Sequence, residues 1–215
     1  MREKPKNKSI LSFFLLAIPV SLFFAIIITL LILSYLVYTN YSKWTVEFED
    51  SHLSTDYIQI PDDNYEKKIT AKIEKYSKST DIIDYIEFTN EEFSYLFSKS
   101  VQSSLPEYMS INKTISSFNN NTLSIFMNIN VLKNQSIWFR FDITKDVGEG
   151  YEIFLSDMYI ADYSFNEYGM RKIVVDINTA LSDTLKLIND NEFSIRVLQN
   201  IELTSKSVIF KAKLR

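Results

Sequence analysis

His52 is the only imidazole in the chain, and there is no cysteine. That leaves no His cluster or Cys set to hold a metal, no thiolate nucleophile and no disulfide framework. His52 lies in a polar stretch and reads as a solvated residue. Acid–base chemistry would have to come from carboxylates. Asp142, Asp146, Asp157 and Asp162 fall on or beside segments of alternating apolar residues. Such chemistry needs two carboxylates at fixed separation in different environments, and no motif fixes a pair among these four. The serines include none in a G-x-S-x-G or S-x-x-K setting that fits a nucleophile site. Glycine occurs only at 148, 150 and 169, so no phosphate-cradling loop or dinucleotide fingerprint can be written. Asn40, Asn112, Asn120 and Asn134 each begin an N-x-[ST] sequon, as chance allows in a chain rich in Asn and Ser. No catalytic residue, cofactor site or metal site is therefore expected, and binding is favoured over enzymatic chemistry.

The elements that would carry these residues begin with an apolar run. No charge occurs between Lys8 and Lys43, and residues 10–38 are almost entirely Leu, Ile, Phe, Val and Ala. About 20 apolar residues suffice to cross a bilayer core, so 10–38 is expected to be a transmembrane helix, with Pro19 inside it. The run is too long for the apolar region of a cleaved signal peptide, and no small-residue cleavage site follows it. Residues 1–9 carry Arg2, Lys4, Lys6 and Lys8 against Glu3 alone, which predicts a cytoplasmic basic tip and an outward-facing remainder. Tyr35, Tyr38, Tyr41 and Trp44 stand where an outer aromatic belt would lie. The expected location is the cell membrane, in one pass.

Four of the 23 basic residues and one of the 27 acidic residues lie in that tip, so the remainder has an acidic excess of seven. An acidic domain does not suit a nucleic-acid partner. Residues 39–80 read as a connector. Within it, 43–48 alternate in a way that permits a short strand, and 65–76 place Ile69, Ile73 and Tyr76 on one helical face after an Asp or Asn cap.

Residues 81–215 read as the main domain. A strand over 82–88 runs into Thr89-Asn90-Glu91-Glu92, which has the form of a capping box, with Phe88 and Phe93 placed as a hydrophobic staple. Phe93, Leu96, Phe97 and Val101 continue one helical face. Four strands follow, over 109–118, 123–132, 137–144 and 151–165, separated by turn-like segments. Leu123, Ile125, Met127, Ile129 and Val131 share a face, as do Ile137, Phe139, Phe141 and Ile143. The fourth strand changes phase between Leu155 and Met158, which predicts a bulge near Ser156. Ile173, Val174, Ile177, Leu181, Leu185 and Ile188 define a long helix, and strands over 193–198 and 201–214 close the chain. The fold class is α+β, a curved antiparallel sheet packed on two helices behind one transmembrane helix.

Without a catalytic constellation, what remains is apolar surface. The two helix stripes either fill the core or stand partly off the sheet and leave an apolar groove, lined by Phe93, Leu96, Phe97, Ile173, Val174, Ile177 and Leu181. A groove of that kind would take a lipid or another apolar envelope ligand. Phe126 and Trp138 lie on the opposite sheet face and could form a second apolar patch. The alternative is a structural subunit of an envelope complex, using the meander edge or the 65–76 helix to contact a protein partner.

The order of these elements, with Thr-Asn-Glu-Glu-Phe-Ser-Tyr-Leu-Phe at 89–97 and Ile201, Leu203, Val208, Phe210, Ala212 and Leu214 in the closing pair, resembles the YpmS-like family of single-pass envelope proteins from low-GC Gram-positive bacteria. Ser94-Tyr95 stands where that family has a Leu-Asn-like step. The resemblance covers about 82–215 plus the anchor. It implies location and fold, and carries over no catalytic residue.

Overall fold

In a computed structural model of the chain, the structure describes residues 8–52, 57–132, 135–145, 152–167, 169–190 and 196–214, with side chains described from residue 27 onward except at 132, 180 and 184–190. Residues 1–7 of the basic tip, Asn134, Asp146, Gly148, Gly150, Tyr151 and Phe193 lie outside these residues, as do the side chains of Leu185 and Ile188. The chain divides into two compact units, residues 1–51 and 52–215.

The first unit is helix α1, Lys8–Ser51. At 1.5 Å per residue its 44 residues extend about 66 Å. The strand expected at 43–48 is instead the last part of this helix. Trp44 and Phe48 alternate with polar residues, but they are also four apart, and they stack at 4.9 Å with Tyr41 a further turn back at 6.3 Å from Trp44. A six-residue alternation fits both periods, and the continuous helix upstream settles which is used. Among the described residues, no helix is long and apolar enough to cross a membrane. The side chains of 10–26, more than half of the expected span, are not among them. The described remainder, 27–38, would reach only about 18 Å of the roughly 30 Å core.

The second unit opens with helix α2, Asp63–Lys78, capped by Asp62, whose carboxylate accepts from the Asn64 and Tyr65 amides at 2.8 and 3.3 Å. Strand β1 (Ile83–Thr89) then runs into α3 (Asn90–Ser104). The capping box forms as the sequence predicts. Thr89 Oγ1 accepts from the Glu92 amide at 3.2 Å, and Glu92 Oε2 accepts from the Thr89 amide at 2.9 Å. Strands β2 (Ser110–Asn119), β3 (Thr122–Leu132), β4 (Gln135–Lys145), β5 (Ile153–Ile160) and β6 (Tyr163–Ser164) follow as an antiparallel meander. Asn120 and Asn121, at φ +48 and +61, make the two-residue turn between β2 and β3, as the inherent twist of a hairpin prefers. Helix α4 (Arg171–Asp190) and the hairpin β7 (Arg196–Leu203) and β8 (Ser207–Leu214) complete the unit.

One sheet was expected and two are present. The meander is a five-stranded sheet, while β1, β8 and β7 form a separate three-stranded sheet with β8 in the middle. The strand before α3 therefore pairs with the end of the chain, Ile83 opposite Lys213 and Thr89 opposite Ser207. The closing hairpin also turns later than expected. Gln199 sits in a register shift between Leu198 and Asn200, and the turn is Thr204-Ser205-Lys206, where Thr204 Oγ1 accepts from the Ser207 amide at 2.9 Å.

The predicted bulge is present. Asp142 faces Asp157 and Ile143 faces Leu155, leaving Ser156 as the extra residue. It returns Met158 to the face of Ile153 and Leu155, and all three join one core with Leu123, Ile125, Met127, Ile129, Phe141 and Ile143. Phe93, Val174, Ile201 and Val208 belong to the same core, so α3, α4 and both sheets share it. Ile58 and Ile69 join it too, which carries the core upstream of the expected start at Asp81. The other face of the meander is not simply solvated. Trp138 is 1% exposed there, and Phe126, Asn128 and Asp157 are buried.

Candidate functional site

The apolar residues expected to line a groove come together, but as packing. Phe93 and Val174 are core members, and Leu96, Phe97, Ile177 and Leu181 pack against that core. The Phe97 ring meets Phe141 edge-on at 5.5 Å and Phe93 lies 6.3 Å from Phe210. Ile173 points away, 43% exposed beside Val175. Two clefts, one between α2 and β1 and one along α4, are lined by none of the seven.

The carboxylates separate in the same way. Asp142 and Asp157 stand directly opposite across β4 and β5, an arrangement that is destabilising unless compensated. Compensation is close by. Ser124 Oγ donates to Asp142 at 2.7 Å, and the Arg140 guanidinium lies 3.3 Å from the same carboxylate without hydrogen-bond alignment. Asp157 accepts from the Met158 amide at 2.7 Å, from the Asn166 amide at 3.2 Å and from the Ser164 hydroxyl. Arg140 also covers the Tyr159 ring at 3.7 Å, and burial raises the Tyr159 hydroxyl above its ordinary range. These bonds tie β4, β5 and β6 together, so both carboxylates are engaged in holding the sheet. Asp162 is exposed in the turn after β5, and the His52 ring lies 6.3 Å from Phe126. Among the described residues, no three His, Cys, Asp or Glu side chains are grouped to hold a metal ion.

A cleft of about 670 Å³ lies between α2 and β1. Lys72, Lys75 and Lys78, three apart on α2, line it together with Asp81, Asp84 and Glu87, three apart through β1. Helix α2 is fixed at both ends. At its start, Tyr65 stacks on Tyr95 at 5.5 Å. The Tyr95 hydroxyl donates to Glu66 Oε1 at 2.8 Å, and Lys99 Nζ reaches the same oxygen at 2.6 Å. Those two donors, Lys99 first, hold the Glu66 carboxyl below its usual value, while burial raises the Tyr95 hydroxyl. In the middle, Lys72 Nζ contacts Glu92 Oε2 at 2.5 Å and donates to the Glu87 carbonyl at 2.9 Å. At the far end Arg196, only 5% exposed, donates to the Ser79 carbonyl at 2.9 Å, sits 4.8 Å over the Tyr76 ring and lies 3.8 Å from Asp84. The Ser79 hydroxyl is the largest cause lowering the Asp84 pKa, and burial raises that of Tyr76.

Strand β1 is an edge strand, and its pairing phase can be read from two bonds. The Leu214 amide donates to the Ile82 carbonyl and the Asn90 amide to the Lys206 carbonyl. Even-numbered residues of β1 thus turn their backbone groups toward β8, and Ile83, Tyr85 and Glu87 turn theirs outward. The outward Tyr85 amide donates to the Asp84 carboxylate at 2.8 Å, and Lys72 takes the outward Glu87 carbonyl. Ile83 is 70% and Tyr85 59% exposed.

Sequence reasoning passed over this site. Its signal was two charge triplets of opposite sign, each with a period of three. On a lysine-rich helix they read as an ordinary solvated face, and the pairing of β1 with β8 was needed to make β1 an edge. No family model, no curated protein and no solved structure matches the chain.

Proposed function

We propose that the chain is a membrane-anchored envelope protein whose outward domain docks another protein through the edge of its three-stranded sheet. The observation that carries this reading is the cleft between α2 and β1, which runs along outward-turned backbone groups beside exposed Ile83 and Tyr85. The apolar run at 10–38, the basic tip and the resemblance to the YpmS-like family support the anchor and its orientation. A photo-reactive amino acid in place of Tyr85, activated in intact membranes, is expected to give one discrete protein adduct. The same group in place of Tyr108, which is also exposed, is expected to give none. Recovery of the uncrosslinked chain alone from both would overturn the proposal.

The lipid reading rests on the seven apolar residues named from the sequence. It requires α3 or α4 to part from the core they now help fill. Native mass spectrometry of the full chain extracted from membranes tests it: a retained lipid that survives dilution supports it, and a clean unliganded mass counts against it.

A further inference from the structure

We infer that the occupant of the cleft is an extended segment of the partner protein, added as a strand to the outer edge of β1 and carrying carboxylates at alternate positions. This rests on the docking reading above and adds the conformation and charge of what is docked.

The backbone argument comes first. Among the described residues, no strand pairs with β1 on the side away from β8. The Ile83 amide and carbonyl, the Tyr85 carbonyl and the Glu87 amide all face that side, in the alternation that an added strand matches. The two groups already engaged, the Tyr85 amide and the Glu87 carbonyl, are held by side chains and not by backbone. Side-chain capping of this kind keeps an edge from pairing indiscriminately, and a ligand that adds further contacts is then needed to open it.

Those further contacts come from α2. Arg196 bridges Tyr76 of α2 and Asp84, an inward-facing residue of β1, so the C-terminal half of α2 lies over the inward side of the edge. Every second side chain of an added strand would point to that side. There it meets Lys75 and Lys78, which are exposed; Lys78 has only a loose 3.8 Å contact with Glu74, itself exposed. Lys72 is already bound to Glu92, and Asp84 to Ser79 and Arg196, with Lys75 also near it; Asp81 precedes β1 and Glu87 is an outward-facing residue like Tyr85, so on the α2 side of the edge the uncommitted charge is that of Lys75 and Lys78. Alternate strand residues repeat at about 6.7 Å and α2 residues three apart at about 4.5 Å, a difference that flexible lysine stems bridge. The intervening side chains would lie beside Ile83 and Tyr85, where apolar groups cover exposed surface. The acidic excess of the whole domain acts over longer distances, and physiological salt screens beyond about 8 Å.

The test uses the full chain in detergent micelles. Its probes are a fluorescein-labelled heptapeptide of alternating valine and glutamate and its valine–lysine counterpart, read by fluorescence polarisation. The glutamate peptide is expected to bind about tenfold or more tighter than the lysine peptide, and to weaken as salt rises. Lys75→Glu combined with Lys78→Glu should remove that preference. Ile83→Pro deletes one outward amide at the first residue of β1 and leaves the bonds to β8 intact, so it should abolish binding without lowering the melting temperature by more than a few degrees. Equal binding of the two peptides, or binding undiminished by Ile83→Pro, overturns the inference. If a Tyr85 adduct still forms in membranes in that case, the docking reading stands and only strand addition falls. If no adduct forms, both fall.

Discussion

The carboxylate of Glu92 closes the capping box of α3 and receives Lys72 from α2 through the same oxygen. It is buried with its partner half-exposed, so one side chain joins α2, β1 and α3. Glu92→Ala removes a cap and a charged hydrogen bond together, and is expected to cost about 2–3 kcal/mol in urea unfolding. Glu92→Gln keeps the reciprocal cap bond and should cost less than half as much. Glu66 gives the corresponding prediction in pH. Lys99 and Tyr95 hold its folded pKa below the ordinary 4.5, so its contribution is fully present above pH 4.5 and is lost as pH falls through the lowered value. The Tyr65–Tyr95 stack should therefore loosen on acidification below pH 4.5, seen as a loss of near-ultraviolet circular dichroism. Glu66→Gln should remove that acid-dependent step.

At the scale of elements, α4 is held by one residue as much as by its apolar stripe. Asn178 Oδ1 accepts from the Leu155 amide and its Nδ2 donates to the Leu155 carbonyl, both at 2.8 Å. A side-chain amide thus completes the backbone pairing of β5 just where the bulge at Ser156 has disturbed it. Asn178→Ala leaves two groups of a buried residue without these partners, and about 1–3 kcal/mol of destabilisation is expected in the same urea measurement. How much the sequence disclosed follows this division between local and distant causes. The Thr89–Glu92 box, an Asp or Asn cap before α2, the phase of β3 and β4 and the bulge at Ser156 were all legible, because each is fixed by residues within a few positions. The pairing of β1 with β8 was not, because nothing within 82–88 says which strand it joins. Gln199-Asn200 imitated a turn for the same reason. The cleft depends on that pairing and stayed hidden with it. The apolar stripes were visible, but whether a stripe lines a groove or fills a core depends on how closely elements distant in sequence approach.

For the whole molecule, the proposed topology puts residues 39–215 outside and the basic tip inside. The chain contains no cysteine, so single introduced thiols report their side without background. Tyr108→Cys should react with a membrane-impermeant maleimide in intact cells, and Lys4→Cys only after permeabilisation. Labelling of both before permeabilisation would exclude the anchored topology.

The pairing of β1 with β8 also sets an order of events in time. In the proposed topology β1 leaves the cell early, while the one strand that pairs with it among the described residues follows after more than a hundred residues. At ordinary synthesis rates that is a wait on the order of ten seconds, during which both edges of β1 lack a strand. The three-stranded sheet is thus the last part to close, and it closes only when translation has passed Leu214. Until then β1 is covered by α2 and by α3, which the Thr89–Glu92 box joins to its end. A chain stopped after residue 206 should remain sensitive to envelope proteases throughout a pulse-chase, whereas the full chain becomes resistant once it is released. The partner proposed above would take the opposite edge of the same strand, so β1 is waited on from both sides, by its own chain first and by the partner afterwards.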